Sequence, residues 1–520
     1  MEREKDKTTQ EKELISRRKA LQYFATGAAA MSLAPTSGLF AQPRNWRRPF
    51  QTAKWDSPNI LWICTDQQRW DTIGALNNKY VHTPNIDRLV REGVSFNRAY
   101  AQSPICTPSR SSFLTGKYAS TVRGSRNGSA YWADAAPLIS ATLNEAGFDA
   151  ALAGKFHLSS AQANKPEIRP ENDGYRKFHY CHAPHQGGSS NDYIKWHRDR
   201  GVDVMAMRQE LGYVPTEYHE TPWMTDRTID FITERRERPW LVSLNIYDPH
   251  GPFDAPPEYV NRYDIDSLPG PRFRDSDLEE KGVFSNVMFQ GSTPRKRSDR
   301  AAKQEQADYW AQIDLIDENI GRLLKTLEET GQMDNTMIIF TSDHGDMLGD
   351  HGLNKKGCRF YDGLTRVPLI FWYPKMFKQN LQSDALVELV DIVPTLLDLT
   401  ELPKSEKLHG KSLLPILTGE KSPDHHKDYA RSEFYDTLGM RPEQGHEFSY
   451  GTMLRSDRFK LSIYHGHEKG ELFDMHNDPD EYTNLWDHPD YQDVRFDMMK
   501  KCFDQTVHSI DVGPERIGRY

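Results

Sequence analysis

The apolar residues of this chain cluster in short continuous runs. Asn59-Ile-Leu-Trp-Ile-Cys-Thr65, Gly147-Phe-Asp-Ala-Ala-Leu-Ala-Gly154, Trp240-Leu-Val-Ser-Leu-Asn-Ile-Tyr247, Thr336-Met-Ile-Ile-Phe-Thr341 and Val367-Pro-Leu-Ile-Phe-Trp-Tyr373 are five of them. A strand that is apolar on both faces belongs inside a sheet covered by helices on each side. Between the runs the period changes. Thr83 to Gly93 predicts a helix, with an N-cap, Pro84 in the first turn, Ile86, Leu89 and Val90 on one face, and a Gly stop. Over about 304–330, Tyr309, Ile313, Ile316, Ile320, Leu323 and Leu327 recur at helical spacing and Gly331 follows. Leu386–Leu399 also reads as helical. Strands alternating with helices predict an α/β fold: a large, doubly wound, mostly parallel sheet with helices on both faces.

From about residue 425 the pattern switches. Thr452 to Tyr464 alternates, Glu471-Leu-Phe-Asp474 follows, and a polar turn at Asn477-Asp-Pro-Asp480 leads into a C-terminal helix. The expected organisation is a main domain over 53–424 and a smaller α+β subdomain with an antiparallel sheet over 425–520.

The N-terminus carries a different signal. Arg17-Arg18 follows a charged stretch, and a short Gly/Ala-rich run, Phe24 to Leu33, precedes Ala41. Residues 1–41 thus resemble a twin-arginine export signal. That run is too short and too weakly apolar to span a bilayer, and no later segment reaches ~18 apolar residues. The expectation is a bacterial protein carried to the periplasm or beyond by the twin-arginine export machinery, with no stable membrane span.

Composition narrows the function. With 37% apolar and 11% aromatic residues, the 520-residue chain has a globular make-up. A net charge of −9 excludes a general nucleic-acid binder, and any anion must be recognised locally. The five cysteines are scattered with no CxxC, so there is no disulfide framework; pairing among Cys64, Cys181, Cys358 and Cys502 stays open.

The polar residues that end the apolar runs carry the chemistry. Asp66, Lys155, His157, His250, Asp343 and His344 each lie just past a predicted strand. In an open α/β sheet that edge is where sites form. Two carboxylates brought together there repel unless a divalent cation joins them. His179, His182 and His185 do not share one helical face; they read as part of a lid over a substrate pocket rather than as a second metal site. The basic stretch Arg295 to Arg300 reads as a solvated loop.

One string stands apart: Cys106-Thr-Pro-Ser-Arg-Ser-Ser-Phe-Leu-Thr-Gly116. Pro108 suits the first position of a helix and Gly116 its stop. Cys106 then sits beside unpaired backbone N–H groups that favour an anion, and Arg110, about one turn on, reaches back towards it. The pattern Cys-x-Pro-Ser-Arg-x-x-x-Leu-Thr-Gly resembles the signature of the formylglycine-dependent (type I) sulfatases of the alkaline-phosphatase-like superfamily. The segment Glu471 to Leu485 resembles that family's C-terminal subdomain.

The resemblance implies a mechanism. Cys106 would be oxidised by a formylglycine-generating enzyme to 3-oxoalanine (formylglycine), whose hydrate attacks sulfur to give a covalent sulfo-enzyme; loss of a proton from the second hydroxyl then expels sulfate. Asp66, Gln67, Cys106, Asp343 and His344 would hold one divalent metal, expected to be Ca²⁺. Arg110, Lys155 and Lys356 would stabilise charge on the non-bridging oxygens. His157, His250 or Lys356 would serve the leaving oxygen, and Asn127 would touch the oxyanion. Two positions depart from the family pattern. Gln67 stands where many sulfatases have Asp, as in the branch of choline sulfatases and phosphonate monoester hydrolases, and Lys355 replaces the first Gly of Gly-Lys-Gly. The expected activity is hydrolysis of a sulfate monoester on a carbohydrate or small organic sulfate. The alternatives are a phosphonate monoester or phosphodiester hydrolase, a choline-sulfatase-like enzyme, and an inactive binding protein; intact Cys106, Lys155 and Asp343 argue against the last.

Overall fold

In the computed structural model, the five apolar runs all form strands of one sheet. The structure describes residues 57–133, 135–162, 165–287, 293–439 and 449–513; the expected export signal lies outside them. The strands of this sheet are β1 (Asn59–Thr65), β2 (Val94–Tyr100), β3 (Asp149–Gly154), β4 (Lys177–Tyr180), β5 (Trp240–Asn245), β6 (Thr336–Ser342), β7 (Arg366–Val367), β8 (Leu369–Trp372) and β9 (Leu381–Glu388). Their order is β4-β3-β5-β1-β6-β8-β2-β7, and β9 pairs with β2. The five strands from β4 to β6 are parallel, whereas β8 runs antiparallel to β6. Pro368, which has no N–H to donate, separates β7 from β8 in the fifth apolar run.

Side chains of β1 show how the sheet is covered. Ile60, Trp62 and Cys64 point into one core, Leu61 and Ile63 into the other. Helix α1 (Pro84–Glu92) supplies Ile86, Leu89 and Val90 to the second core, as the pattern predicts. The first core takes Phe113 and Leu114 of α2 (Cys106–Thr115). The 31-residue α3 (Asp299–Glu329) buries Ile316, Ile320, Leu323 and Leu327 in the second core, while Tyr309 and Ile313 enter a smaller one at the same helix's other end. It starts five residues before the predicted start because the Ser298 hydroxyl accepts from Ala301 N–H.

One predicted element changes type. Leu386 to Glu388 belongs to β9, and the helix, α4 (Ile392–Leu399), begins only after a 3₁₀ turn at Leu389–Asp391. Ala385 and Val387 enter one core and Leu386 another, the two-sided alternation of a buried strand. A continuous apolar run does not distinguish these states by itself.

The second sheet is antiparallel: β10 (Ala430–Tyr435), β11 (Tyr450–Arg455), β12 (Phe459–Tyr464) and β13 (Gly470–Asp474), in that order. Helix α5 (Gln492–His508) lies against it, packing Met498 and Cys502 on Leu454, Leu461 and Leu472. All five cysteines are buried, and no disulfide joins any of them among the described residues. No described helix is long and apolar enough to cross a membrane.

Candidate active site

Helix α2 is buried along its whole length although seven of its ten residues are neither aliphatic nor aromatic. Its hydroxyls make this tolerable by bonding backwards: Ser111 and Ser112 donate to Pro108 O, and Thr115 to Ser111 O. Ser109 donates to Asp343 O, which ties the helix to the end of β6. The structure places Cys106 itself in the first turn, with Ile105 before it as cap, and Pro108 third rather than first. Pro108 still costs no hydrogen bond, because the first four N–H groups of a helix have no intrahelical partner. Gly116 ends the helix in the left-handed region, at φ 70°.

Four side chains from three segments meet at the Cys106 thiol. Asp66, Cys106, Asp343 and His344 present ligand atoms within 4.8 Å of one another. Cys106 Sγ lies 2.9 Å from Lys356 Nζ, 3.2 Å from His344 Nε2 and 3.6 Å from Asp66 Oδ1. His344 Nδ1 sits 2.8 Å from Gly345 O and donates to it, which turns Nε2 towards the cluster, 3.8 Å from both Asp66 Oδ1 and Asp343 Oδ1. Lys155 pairs with Asp66 Oδ2. Arg110 donates from Nε to Asp343 Oδ2 at 2.9 Å and from Nη1 to Lys155 O at 3.0 Å.

Backbone geometry places these groups. Gly154 has φ 111°, and a Cβ there would meet Asn245 O at 1.9 Å, so only glycine lets β3 deliver Lys155 beside β5. Gln67, at φ 73°, turns the chain after β1 so that its N–H donates to Asp343 Oδ1 at 3.1 Å. Its side-chain nitrogen donates to Asp346. Lys355 holds φ 58°, so this chain keeps the left-handed turn of the resembled Gly-Lys-Gly without its first glycine. His157, at φ 60°, has a neighbour that sequence reasoning missed: Glu167 accepts from the N–H groups of His157, Leu158 and Ser159. No motif marks Glu167, since its role is visible only once the loop folds back ten residues.

The remaining expected residues lie around this centre. The His250 ring stands 4.8 Å from that of Tyr247, over which Lys155 Nζ sits at 5.4 Å. Asn127 accepts from Thr107 N–H at 3.0 Å, at the mouth of α2, and its own N–H donates to Thr437 O. The loop after β10 therefore positions Asn127. Of the histidines read as a lid, His182 packs on His157 with ring centroids 4.4 Å apart and His185 packs on Tyr247, but His179 turns away to Trp223. Residues 295–298 are exposed, as a solvated loop should be, whereas Arg300, also exposed, lies in the first turn of α3.

Electrostatics mark the centre as unusual. Burial and Asp66 push the Cys106 thiol up, but Lys155, Lys356 and His344 outweigh them and hold it well below the usual thiol range. Asp66 is held well below the carboxylate range against its burial, by Lys155 first and then His250, Lys356 and Arg110. Burial and the neighbouring Asp66 push Asp343 up. Among the buried atoms left without a hydrogen-bond partner in the described residues are Gln67 Oε1, Arg110 Nη2 and His157 Nδ1. Two carboxylates, an orphaned amide oxygen and an imidazole nitrogen suit an oxygen-preferring divalent cation.

The comparisons agree with this geometry. The family description "Sulfatase" matches residues 58–402, and "N-sulphoglucosamine sulphohydrolase, C-terminal" matches 349–508. The chain belongs to the sulfatase family. An arylsulfatase of Clostridium perfringens is 31% identical to this sulfatase, over 88% of this chain and 95% of that protein. An N-acetylglucosamine-6-O-sulfatase of Bacteroides thetaiotaomicron is 28% identical, over 85% of each chain. Among solved structures, a phosphonate monoester hydrolase from Silicibacter pomeroyi superimposes with a TM-score of 0.76 at 27% identity, covering 88% of this chain and 96% of that one. The fold of this sulfatase is accordingly alkaline-phosphatase-like, and the protein is an enzyme.

Proposed function

We propose that this sulfatase hydrolyses a sulfate monoester on a carbohydrate, using Cys106 after its conversion to formylglycine and one bound Ca²⁺. The observation that carries this reading is the thiol at the mouth of α2, 2.9 Å from Lys356 and 3.2 Å from His344. Formylglycine supplies a hydrated aldehyde, and the cation charge stabilisation on the ester oxygens. Asp66, Gln67 Oε1, Asp343 and His344 would hold the cation, with residue 106 completing the set. The chain's own groups do the rest. Arg110, anchored by Asp343, keeps Nη2 for an anionic oxygen. Lys155 and Lys356 add positive charge on either side of residue 106. Lys356, whose charge Cys106, Asp66 and Asp343 hold against its burial, protonates the leaving oxygen; burial lowers His157 and His250, His250 to about 3, so they stand uncharged at neutral pH and serve that oxygen only as hydrogen-bond donors. Asn127 fixes the mouth of α2 where the anion enters. Carbohydrate is favoured because the N-acetylglucosamine-6-O-sulfatase and the N-sulphoglucosamine sulphohydrolase C-terminal family both resemble this chain. Maturation by a formylglycine-generating enzyme would take place before twin-arginine export to the periplasm or beyond.

A second reading, phosphonate monoester hydrolysis, is favoured by one residue. Gln67 adds no charge to the metal site, and the phosphonate monoester hydrolase is a close structural neighbour. The decisive experiment compares kcat/KM for an aryl sulfate, a 6-O-sulfated hexosamine and an aryl phosphonate monoester, using enzyme from a host that forms formylglycine. Preference for the sulfated sugar supports the first reading; preference for the phosphonate replaces it. Mass spectrometry of the peptide containing residue 106 tests the nucleophile, and a fully active enzyme with unmodified Cys106 would defeat the mechanism.

A further inference from the structure

The C-terminal helix is apolar on two faces. Val494, Met498 and Cys502, four residues apart, turn towards the antiparallel sheet. On the opposite face Phe496, Met499, Phe503, Val507 and Ile510 are exposed, Phe496 to 72%, Phe503 to 69% and Ile510 to 59%. Ile510 continues the last turn, since its N–H donates to Val507 O at 3.1 Å. One helix face thus presents an unbroken apolar stripe about 21 Å long. Scattered apolar residues on a surface are ordinary, but a contiguous stripe with two phenylalanines is a contact surface.

The spacing of the stripe identifies its occupant. Its steps are 3, 4, 4 and 3 residues, so the pattern reads the same in both directions about Phe503. A two-fold axis through Phe503 therefore lays one stripe antiparallel on an identical one. Phe503 meets its own copy, Met499 meets the partner's Val507, and Phe496 meets the partner's Ile510. Charge agrees along one edge. Lys500 and Asp504 pair with each other at 2.8 Å and flank the axis, so the same rotation sets the two pairs side by side, each Lys500 next to the partner's Asp504 as well as its own. We propose that this sulfatase forms a two-fold homodimer through the outer face of its C-terminal helix.

The test is sedimentation of the full enzyme with four variants. Wild type is expected to sediment at twice the chain mass in the micromolar range. Phe503→Glu sets two like charges against each other on the axis and should raise the dimer Kd at least ~30-fold. Circular dichroism and turnover of an aryl sulfate should stay at wild-type values, since nothing at the strand ends is touched. Met499→Lys and Val507→Glu should each weaken the dimer about 10-fold, and the double variant should return to within about 3-fold of wild type, because each lysine then faces a glutamate. A monomeric wild type overturns the proposal and leaves the stripe to another occupant, such as the chain's own residues 514–520. A dimer indifferent to Phe503→Glu, or a double variant no better than either single one, overturns it equally.

Discussion

Glu471 and Asp66 are both buried carboxylates held low by nearby cations, yet their surroundings differ. Glu471, on β13, is filled on both oxygens. Arg359 donates to Oε1 at 3.0 Å, joined there by Tyr361, and Tyr464 donates to Oε2. Beside it Lys460 pairs with Asp362 at 2.7 Å and with Glu481. Around Asp66 the charges are as dense, but Gln67 Oε1, Arg110 Nη2 and His157 Nδ1 are left without partners. Each such atom costs roughly 1–3 kcal/mol in a fold that gains nothing from it. The Glu471 cluster leaves Arg359 Nε without a partner too, so the contrast lies at the carboxylate itself: donors fill both oxygens of Glu471, whereas around Asp66 an acceptor, a donor and an imidazole nitrogen are all left open for a ligand.

That contrast predicts opposite responses. The largest effect is expected at residue 106. Cys106→Ala removes the proposed nucleophile and should lower kcat/KM by ~10⁴-fold or more, with melting temperature close to wild type. Retention of substantial turnover would detach the cluster from the chemistry. Next, Lys356→Ala should cost about 10²–10⁴-fold in kcat and leave stability within about 1 kcal/mol, because Lys155 and Arg110 still face the carboxylates. Arg359→Met inverts the pattern. It strands Glu471 and should destabilise by about 3–5 kcal/mol, while activity per folded molecule stays unchanged. Denaturant titration and active-site-normalised turnover separate the two. If Lys356→Ala destabilised as much as Arg359→Met, the distinction between closed and open clusters would fail.

The part of the site that follows local rules was legible before the structure. Apolar runs end at Asp66, Lys155 and Asp343, and the strand-edge rule brings those ends together; the Cys106 string carries its own helix stop. What stayed hidden depends on contacts between distant segments. Glu167 acts only once its carboxylate meets the N–H groups of His157, Leu158 and Ser159. Thr437, just past β10, reaches Asn127 from 310 residues away in sequence. Asp346 was visible as a residue near Asp343, but not as the partner that fixes Gln67. The conversion of Leu386–Glu388 from helix to strand has the same cause: a free sheet edge at β2 was available to pair, and nothing in the local pattern announces that edge.

The smallest effect is a pH dependence of stability from the open cluster. Burial, then Lys356, pushes the His250 imidazole down to about 3, whereas in the unfolded chain a histidine titrates near 6.5. Below 6.5 the unfolded state binds a proton that the folded state refuses. Stability from this residue is therefore complete above about pH 7 and is lost as the pH falls from 6.5 towards 3. At pH 5.5 the loss amounts to about 1.4 kcal/mol. His250→Gln removes this titration, so its unfolding free energy should decline less than wild type between pH 7.5 and 5.5, by that amount. The closed cluster gives the contrasting case. Glu471 is held below its ordinary value, so stability from it is present above about pH 4.5 and unaffected over the same interval. Equal slopes for wild type and His250→Gln would mean that His250 takes up its proton in the folded enzyme. The imidazole would then face the substrate anion as a cation rather than as a neutral group.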